Sequence, residues 1–171
     1  MKMRIIFIVP FLFLITSCNS DQKGVSHKKQ INLKQKNMDN QGVITKVSSK
    51  NFEDTYSTLV NVITNNPNLK IVAELDHQAN AASVGLKLNP TRIIMFGNPN
   101  LGTPLMQNSQ TTGLDLPQKI LVWQDDQGEV KVSYNNPIYV QDRHNIVGQV
   151  DVLKKIGGAL DGLTNKAIGD F

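Results

Sequence analysis

The apolar positions of this chain fall into three regimes. Ile5–Ile15 is apolar throughout, interrupted only by Pro10, whereas Asn19–Gly42 is polar with scattered Val25, Ile31, Leu33 and Met38. From Val43 onward the apolar residues become periodic. Val43, Thr45 and Val47 alternate with Ile44, Lys46 and Ser48, which predicts a first strand. Asn51 then offers a helix N-cap, with Glu53 and Asp54 in the first turn. Behind it Phe52, Tyr56, Leu59, Val60 and Ile63 recur at helical spacing until Asn65-Asn66-Pro67 stops the run. Leu69, Ile71, Ala73 and Leu75 alternate with Lys70, Val72, Glu74 and Asp76, predicting a half-buried second strand that ends at His77.

Residues 78–90 are small and polar, with Gly85 and Pro90, and read as a long connection containing one helical turn. Arg92–Phe96 is a third strand, stopped by Gly97-Asn98-Pro99, and Leu101–Met106 reads as a short helix. Ile120–Trp123 is a fourth strand, joined through Asp125-Asp126-Gln127-Gly128 to a fifth at Val130–Tyr134. A last helix begins near Ile146, with Val150, Leu153, Ile156, Leu160 and Leu163 forming its apolar stripe. Gly157, Gly158 and Gly162 weaken it by about 1 kcal/mol each relative to Ala, and would let it approach a sheet or a second subunit closely. The order β-α-β-β-β-β-α defines an α+β domain, an antiparallel sheet with helices on one face.

Within this frame Asp76-His77-x-x-Asn80-Ala81, Gly85, Pro90, Phe96-Gly97-Asn98-Pro99, Asp115-Leu116-Pro117, Tyr134 and Pro137 occur in order. Over about residues 43–145 this resembles the bacterial domain of unknown function 302 family. The resemblance implies a TATA-binding-protein-like α+β fold, a dimeric assembly and no established activity. Members of that family are commonly exported or lipid-anchored. Gln118 departs from the pattern, in which an apolar residue usually follows the proline.

The N-terminal run fits export. Lys2 and Arg4 precede it, and it is too short for the ~20 apolar residues of a spanning helix. Its end, Leu14-Ile15-Thr16-Ser17-Cys18, resembles the lipobox of bacterial lipoproteins, in which the cysteine is acylated and exposed by cleavage. Three segments follow: a signal peptide over 1–17, a lipidated Cys18 with a flexible tether to residue 42, and a single domain over 43–171. Two or three acyl chains hold a protein on a membrane where one does not, since each buried CH₂ contributes ~0.8 kcal/mol. Asn19 lacks the aspartate that retains lipoproteins at the inner membrane, so the expected residence is the outer membrane, facing the periplasm. His27 lies in the tether and reads as solvated.

Charge and cysteine content narrow the function. The net charge of +4 resides in the leader and tether, leaving −1 for residues 43–171, so the folded part has no basic excess for a nucleic-acid face. Cys18 is the only cysteine, so the domain needs no disulfide and has no thiolate ligand or cysteine nucleophile. Three histidines, one of them in the tether, supply no metal-ligand spacing. Gly97–Thr103 has the glycines of a phosphate loop, but lacks its lysine and carries Pro99 where a backbone donor is needed. No serine-hydrolase elbow is present. The sequence therefore calls for no cofactor and no metal.

Candidate site residues remain. His77 either caps backbone groups at a strand end or acts as a ligand or base; Asp76, adjacent on a strand, faces the other way. Asp115, between two leucines and before Leu116-Pro117, either hydrogen-bonds loop amides or lines a cleft. Arg143-His144 reads as a solvated pair at the start of the last helix or as an anion contact. In an antiparallel meander the end of strand three, the start of strand four and the end of strand five share one edge. That groups Asn98, Asp115 and Tyr134 around a small cleft and leaves His77 at the opposite edge. The first reading is a lipid-anchored binding or interaction module, homodimeric, with Leu160 at the two-fold interface so that Leu160→Lys gives a folded monomer. The alternative is an enzyme using His77 or His144 as general base. Anchoring has a direct test. Cys18→Ser is expected to move the protein from the detergent phase to the aqueous fraction or to an uncleaved precursor, and unchanged partitioning refutes lipidation.

Overall fold

The computed structural model describes residues 42–170; the leader, Cys18, the tether residues 18–41 and His27 lie outside the described residues. Its elements are β1 (Val43–Val47), α1 (Phe52–Thr64), β2 (Lys70–Asp76), α2 (His77–Ser83), β3 (Thr91–Gly97), α3 (Pro99–Asn108), a 3₁₀ turn (Gln110–Leu114), β4 (Gln118–Gln124), β5 (Val130–Asn135), α4 (Pro137–His144) and α5 (Val150–Ile168). The strands form one sheet in the order β1-β5-β4-β3-β2, every pair antiparallel. This is the expected α+β architecture.

Alternation decides which face is covered. Ile94 and Phe96 of β3, Ile120 and Val122 of β4, and Val132 and Tyr134 of β5 point to one side and are buried there. Leu59 and Ile63 of α1 and Leu153, Ile156, Leu160 and Leu163 of α5 complete that core. The N-cap of α1 is as read from the sequence, with the Asn51 side chain accepting from the Asp54 amide. On the opposite face Ile93, Met95, Leu121 and Trp123 are half-buried, and Val43, Val47 and Leu75 are exposed. At the hairpin Asp125 Oδ1 accepts from the amides of Gln127 and Glu129, and Gly128 takes φ +82°. Chain entry into β1 is tight as well. A Cβ on Gly42 would fall inside the Tyr139 ring, and its φ is +73°.

Four expectations change. First, the Leu160 stripe belongs to the subunit's own core: Leu160 is 1% exposed and α5 packs against α1, β1 and β5. The helix starts at Val150, which is 65% exposed, while Ile146 is buried ahead of it. Gly157 approaches only Pro137, and nothing lies within 4 Å of a Cβ at Gly158 or Gly162. Second, β2 carries a register shift between Ile71 and Ala73. The extra residue inverts the alternation, so Ile71, Glu74 and Asp76 share the helix side, while Ala73 and Leu75 turn away. Third, residues 137–144 form α4, which places Arg143 and His144 at a helix C-terminus; His144 is buried rather than solvated. Fourth, α2 is a full seven-residue helix beginning at His77.

The inverted end of β2 is closed by a polar cluster. Arg92 Nε donates to Asp76 Oδ2 at 2.9 Å and Nη1 to Glu53 at 2.8 Å, while the guanidinium stacks over Phe52 and Tyr56. Tyr56 donates to Glu74 at 2.7 Å, and burial, reinforced by Glu74, pushes its hydroxyl well above the ordinary range. The Ala79 amide and then Arg92 hold the Asp76 carboxyl below its ordinary 3.8.

Two measurements check this packing. Leu160→Ala is expected to cost about 2–5 kcal/mol in urea denaturation, the range for a buried leucine truncation, and Leu160→Lys to unfold the domain. The second measurement concerns pH. A depressed carboxylate contributes stability that is complete above its unfolded value and is lost as pH falls through the folded one. Asp76→Asn keeps a competent helix cap but removes the charge. The stability gap between wild type and Asp76→Asn should therefore be full at neutral pH and shrink below about pH 4.

Candidate functional site

The sheet edge singled out from topology is where the chain builds a partly enclosed concavity. The end of β3, the start of β4 and the start of β2 meet there, and α3 and α5 close over them. A groove of about 360 Å³ results. Leu101 and Met106 of α3, Leu116 and Pro117 ahead of β4, and Ile156 and Ala159 of α5 form its apolar walls. Asn98, Gln118 and Lys70 bring polar groups to it. Asn98 is partly committed: its side chain accepts from the Asn100 amide, capping α3. Lys70 is exposed, and no hydrogen bond or ion pair of its side chain appears among the described residues.

The four sequence-predicted ligand residues therefore separate. Asn98 lines the groove. Asp115 does not, although its neighbours Gly113 and Leu116 do. Tyr134 is buried on the helix side of β5, with Lys46 over its ring, and burial raises its hydroxyl pKa. His77 begins α2 at the opposite edge, half-buried, while Asp76 caps that helix and pairs with Arg92. Asp76 thus does not orient His77, as the strand geometry implied. A wider, open concavity of about 790 Å³ lies near α2, between Trp123, Leu86, Leu88, Asp125 and Asp126.

Asp115 instead serves a second constellation, just behind the groove wall. Its Oδ2 lies 2.6 Å from His144 Nε2, and its Oδ1 accepts from Arg143 Nη1 at 3.3 Å. The His144 side chain is 3% exposed and that of Asp115 10%. The other ring nitrogen, Nδ1, lies 3.0 Å from Thr111 Oγ1. Two further bonds fix the same region: Asn108 Nδ2 donates to the Val147 carbonyl and the Val147 amide to Asn108 Oδ1, both at 2.9 Å. Within the 3₁₀ turn Thr112 Oγ1 is buried without a partner. The pairing of Asp115 with His144 joins the approach to β4 to the end of α4 across 29 residues.

Asp115 and, separately, His144 are legible in the sequence as candidates; Thr111, Arg92 and the apolar groove walls emerge only in the structure. Arg92 carried a signal, a lone charge opening an apolar strand; Thr111 carried none. Among the described residues no group of three or more His, Cys, Asp or Glu side chains is placed to hold a metal ion. Nor is any helix among them long and apolar enough to cross a membrane.

Comparison with known proteins gives three findings. Residues 44–163 match the family described as domain of unknown function DUF302. The fluoride-specific ion channel FluC 1 of Brucella suis biovar 1 is 40% identical over 103 residues, covering 60% of this chain and 41% of the relative. The corresponding FluC 1 of Brucella abortus biovar 1 is 40% identical over 103 residues, with 38% of its length covered. The chain thus spans about two fifths of the curated relatives it matches. Among solved structures, an uncharacterized conserved DUF302 protein from Bacillus stearothermophilus superposes with a TM-score of 0.66 at 17% identity. That match covers 74% of this chain and 98% of the other, a likeness of fold.

Proposed function

The chain belongs to the DUF302 family of domains of unknown function, and from that premise we propose that it is a binding module whose ligand is a small amphipathic anion held in the groove beside Asn98. The observation that carries this is the composition of the groove. Ligand sites are mostly apolar concavities of roughly 300–1,000 Å³ with a few polar groups that fix orientation. This one offers apolar walls from Leu101, Met106, Leu116 and Ile156, with Asn98 and Gln118 as polar groups and one cation, Lys70. An apolar body would lie along α3 and α5 with its anionic end toward Lys70.

The module works at a membrane surface in this reading. The leader, the lipobox cysteine Cys18 and the following Asn19 favour a lipoprotein of the outer membrane facing the periplasm, with residues 19–42 as tether. The homodimer is proposed on the open sheet face, since α5 uses its stripe internally; half-buried Ile93, Met95 and Leu121 supply an apolar surface there. The Brucella relatives are named as fluoride channels, and the segment they share with this chain is a minority of their length. Channel conduction is therefore not part of the proposed role, and the shared segment is read as an attached binding domain.

A fluorescent amphipathic anion, 1-anilinonaphthalene-8-sulfonate, tests the groove. Saturable fluorescence enhancement is expected for the native chain, lost in Ala159→Trp, where an exposed residue of α5 fills the groove without entering the core. Lys70→Ala should weaken this probe by about tenfold, near 1.4 kcal/mol, while leaving uncharged N-phenyl-1-naphthylamine unchanged. Binding that survives Ala159→Trp in a folded protein refutes the site.

A further inference from the structure

We propose that Thr111 is a hydroxyl nucleophile, activated by His144 and Asp115, that accepts acyl groups from small esters. The binding role of the groove does not need this set of residues. A neutral imidazole has one N–H and one lone pair. With Nε2 facing a carboxylate at 2.6 Å, the N–H belongs there, and the Nδ1 lone pair faces the Thr111 hydroxyl at 3.0 Å. The hydroxyl is thus the donor and the ring the acceptor. A base oriented by a third group and bonded to a hydroxyl is the arrangement that activates weak oxygen nucleophiles.

Access runs in the right direction. His144 and Asp115 are shielded, whereas Thr111 is exposed on the 3₁₀ turn. In such a turn residues three apart eclipse, so Leu114, 72% exposed, stands beside Thr111. Val147, 73% exposed, is held nearby through Asn108. These two side chains offer contact for a short apolar acyl group. Arg143, half exposed, bonds the other oxygen of the same carboxylate and helps hold Asp115 in line with the ring.

The step balances without a cofactor. Thr111 Oγ1 attacks the ester carbonyl carbon, its proton passes to His144 Nδ1, and the carbonyl π pair moves to oxygen. Collapse of that intermediate breaks the bond to the leaving alkoxide, which takes the proton from Nδ1. Water then repeats the sequence on the threonyl ester, returning the Thr111 hydroxyl and releasing the carboxylic acid.

The full chain incubated with p-nitrophenyl butyrate tests this, read by p-nitrophenolate release and by peptide mapping of the butyryl group. Labelling at Thr111 is expected, with Thr111→Ser retaining it. His144→Gln should slow acylation by about 10²–10⁴-fold, the range for a general base, and Thr111→Val should abolish p-nitrophenolate release above the uncatalysed rate, release that persists in Thr111→Val counting against the proposal. Thr111 is exposed, so Thr111→Val decides the matter even where His144→Gln fails to fold. No adduct at Thr111, or undiminished acylation there in a folded His144→Gln protein, overturns the proposal and leaves the three residues as a structural brace. The groove experiment is independent, because Ala159→Trp does not touch this set.

Discussion

The packing of α1 against α5 over one face of the sheet is the contact on which the rest of the molecule depends. Helix α1 spans only 13 residues and the longer α5 carries three glycines, so both gain order from burying their apolar faces. Leu59 and Ile63 from one and Leu160 and Leu163 from the other meet above Ile94, Ile120 and Val132. Once the pair is seated, the sheet has one dry face and one open one. The groove follows from the same placement, because Ile156 and Ala159 of the seated α5 line it together with Leu101 and Met106 of α3.

Much of this frame was legible from periodicity. The first helix, the five strands and the Asp125–Gly128 hairpin stand where alternation and turn chemistry put them, because each is a local pattern long enough to repeat. The failures share a cause. A single extra residue in β2 inverts the faces of Glu74 and Leu75, and alternation has no means of registering a bulge before the partner strand is known. Helix α4 spans only eight residues, too few for an amphipathic repeat to declare itself. The stripe of the last helix is legible but its partner is not, since periodicity shows that a face is buried without showing whether it packs on its own sheet or on a second subunit.

The site divides along the same line. Antiparallel topology put Asn98 and His77 at opposite edges of the sheet, a long-range placement reached from strand order alone and the one the structure shows. It also raised Asp115, an acid set among leucines, for which the structure supplies a partner. That partner, His144, lies on the helix that was not foreseen, and Thr111 is an ordinary threonine in a polar run. Such sets exist only after the chain has folded back on itself; their distances are tertiary facts.

The bulge in β2 has a further consequence, for association. β2 is an edge strand, and a flat edge with free amides and carbonyls invites another chain to extend the sheet. Here the ladder is interrupted near its start, Lys70 stands at its beginning, and Glu74 and Asp76 are turned inward onto Tyr56 and Arg92. An incoming strand would meet broken spacing and charge. The irregularity that defeats simple alternation therefore also guards this edge, and copies of the domain that meet there are directed away from open-ended strand addition.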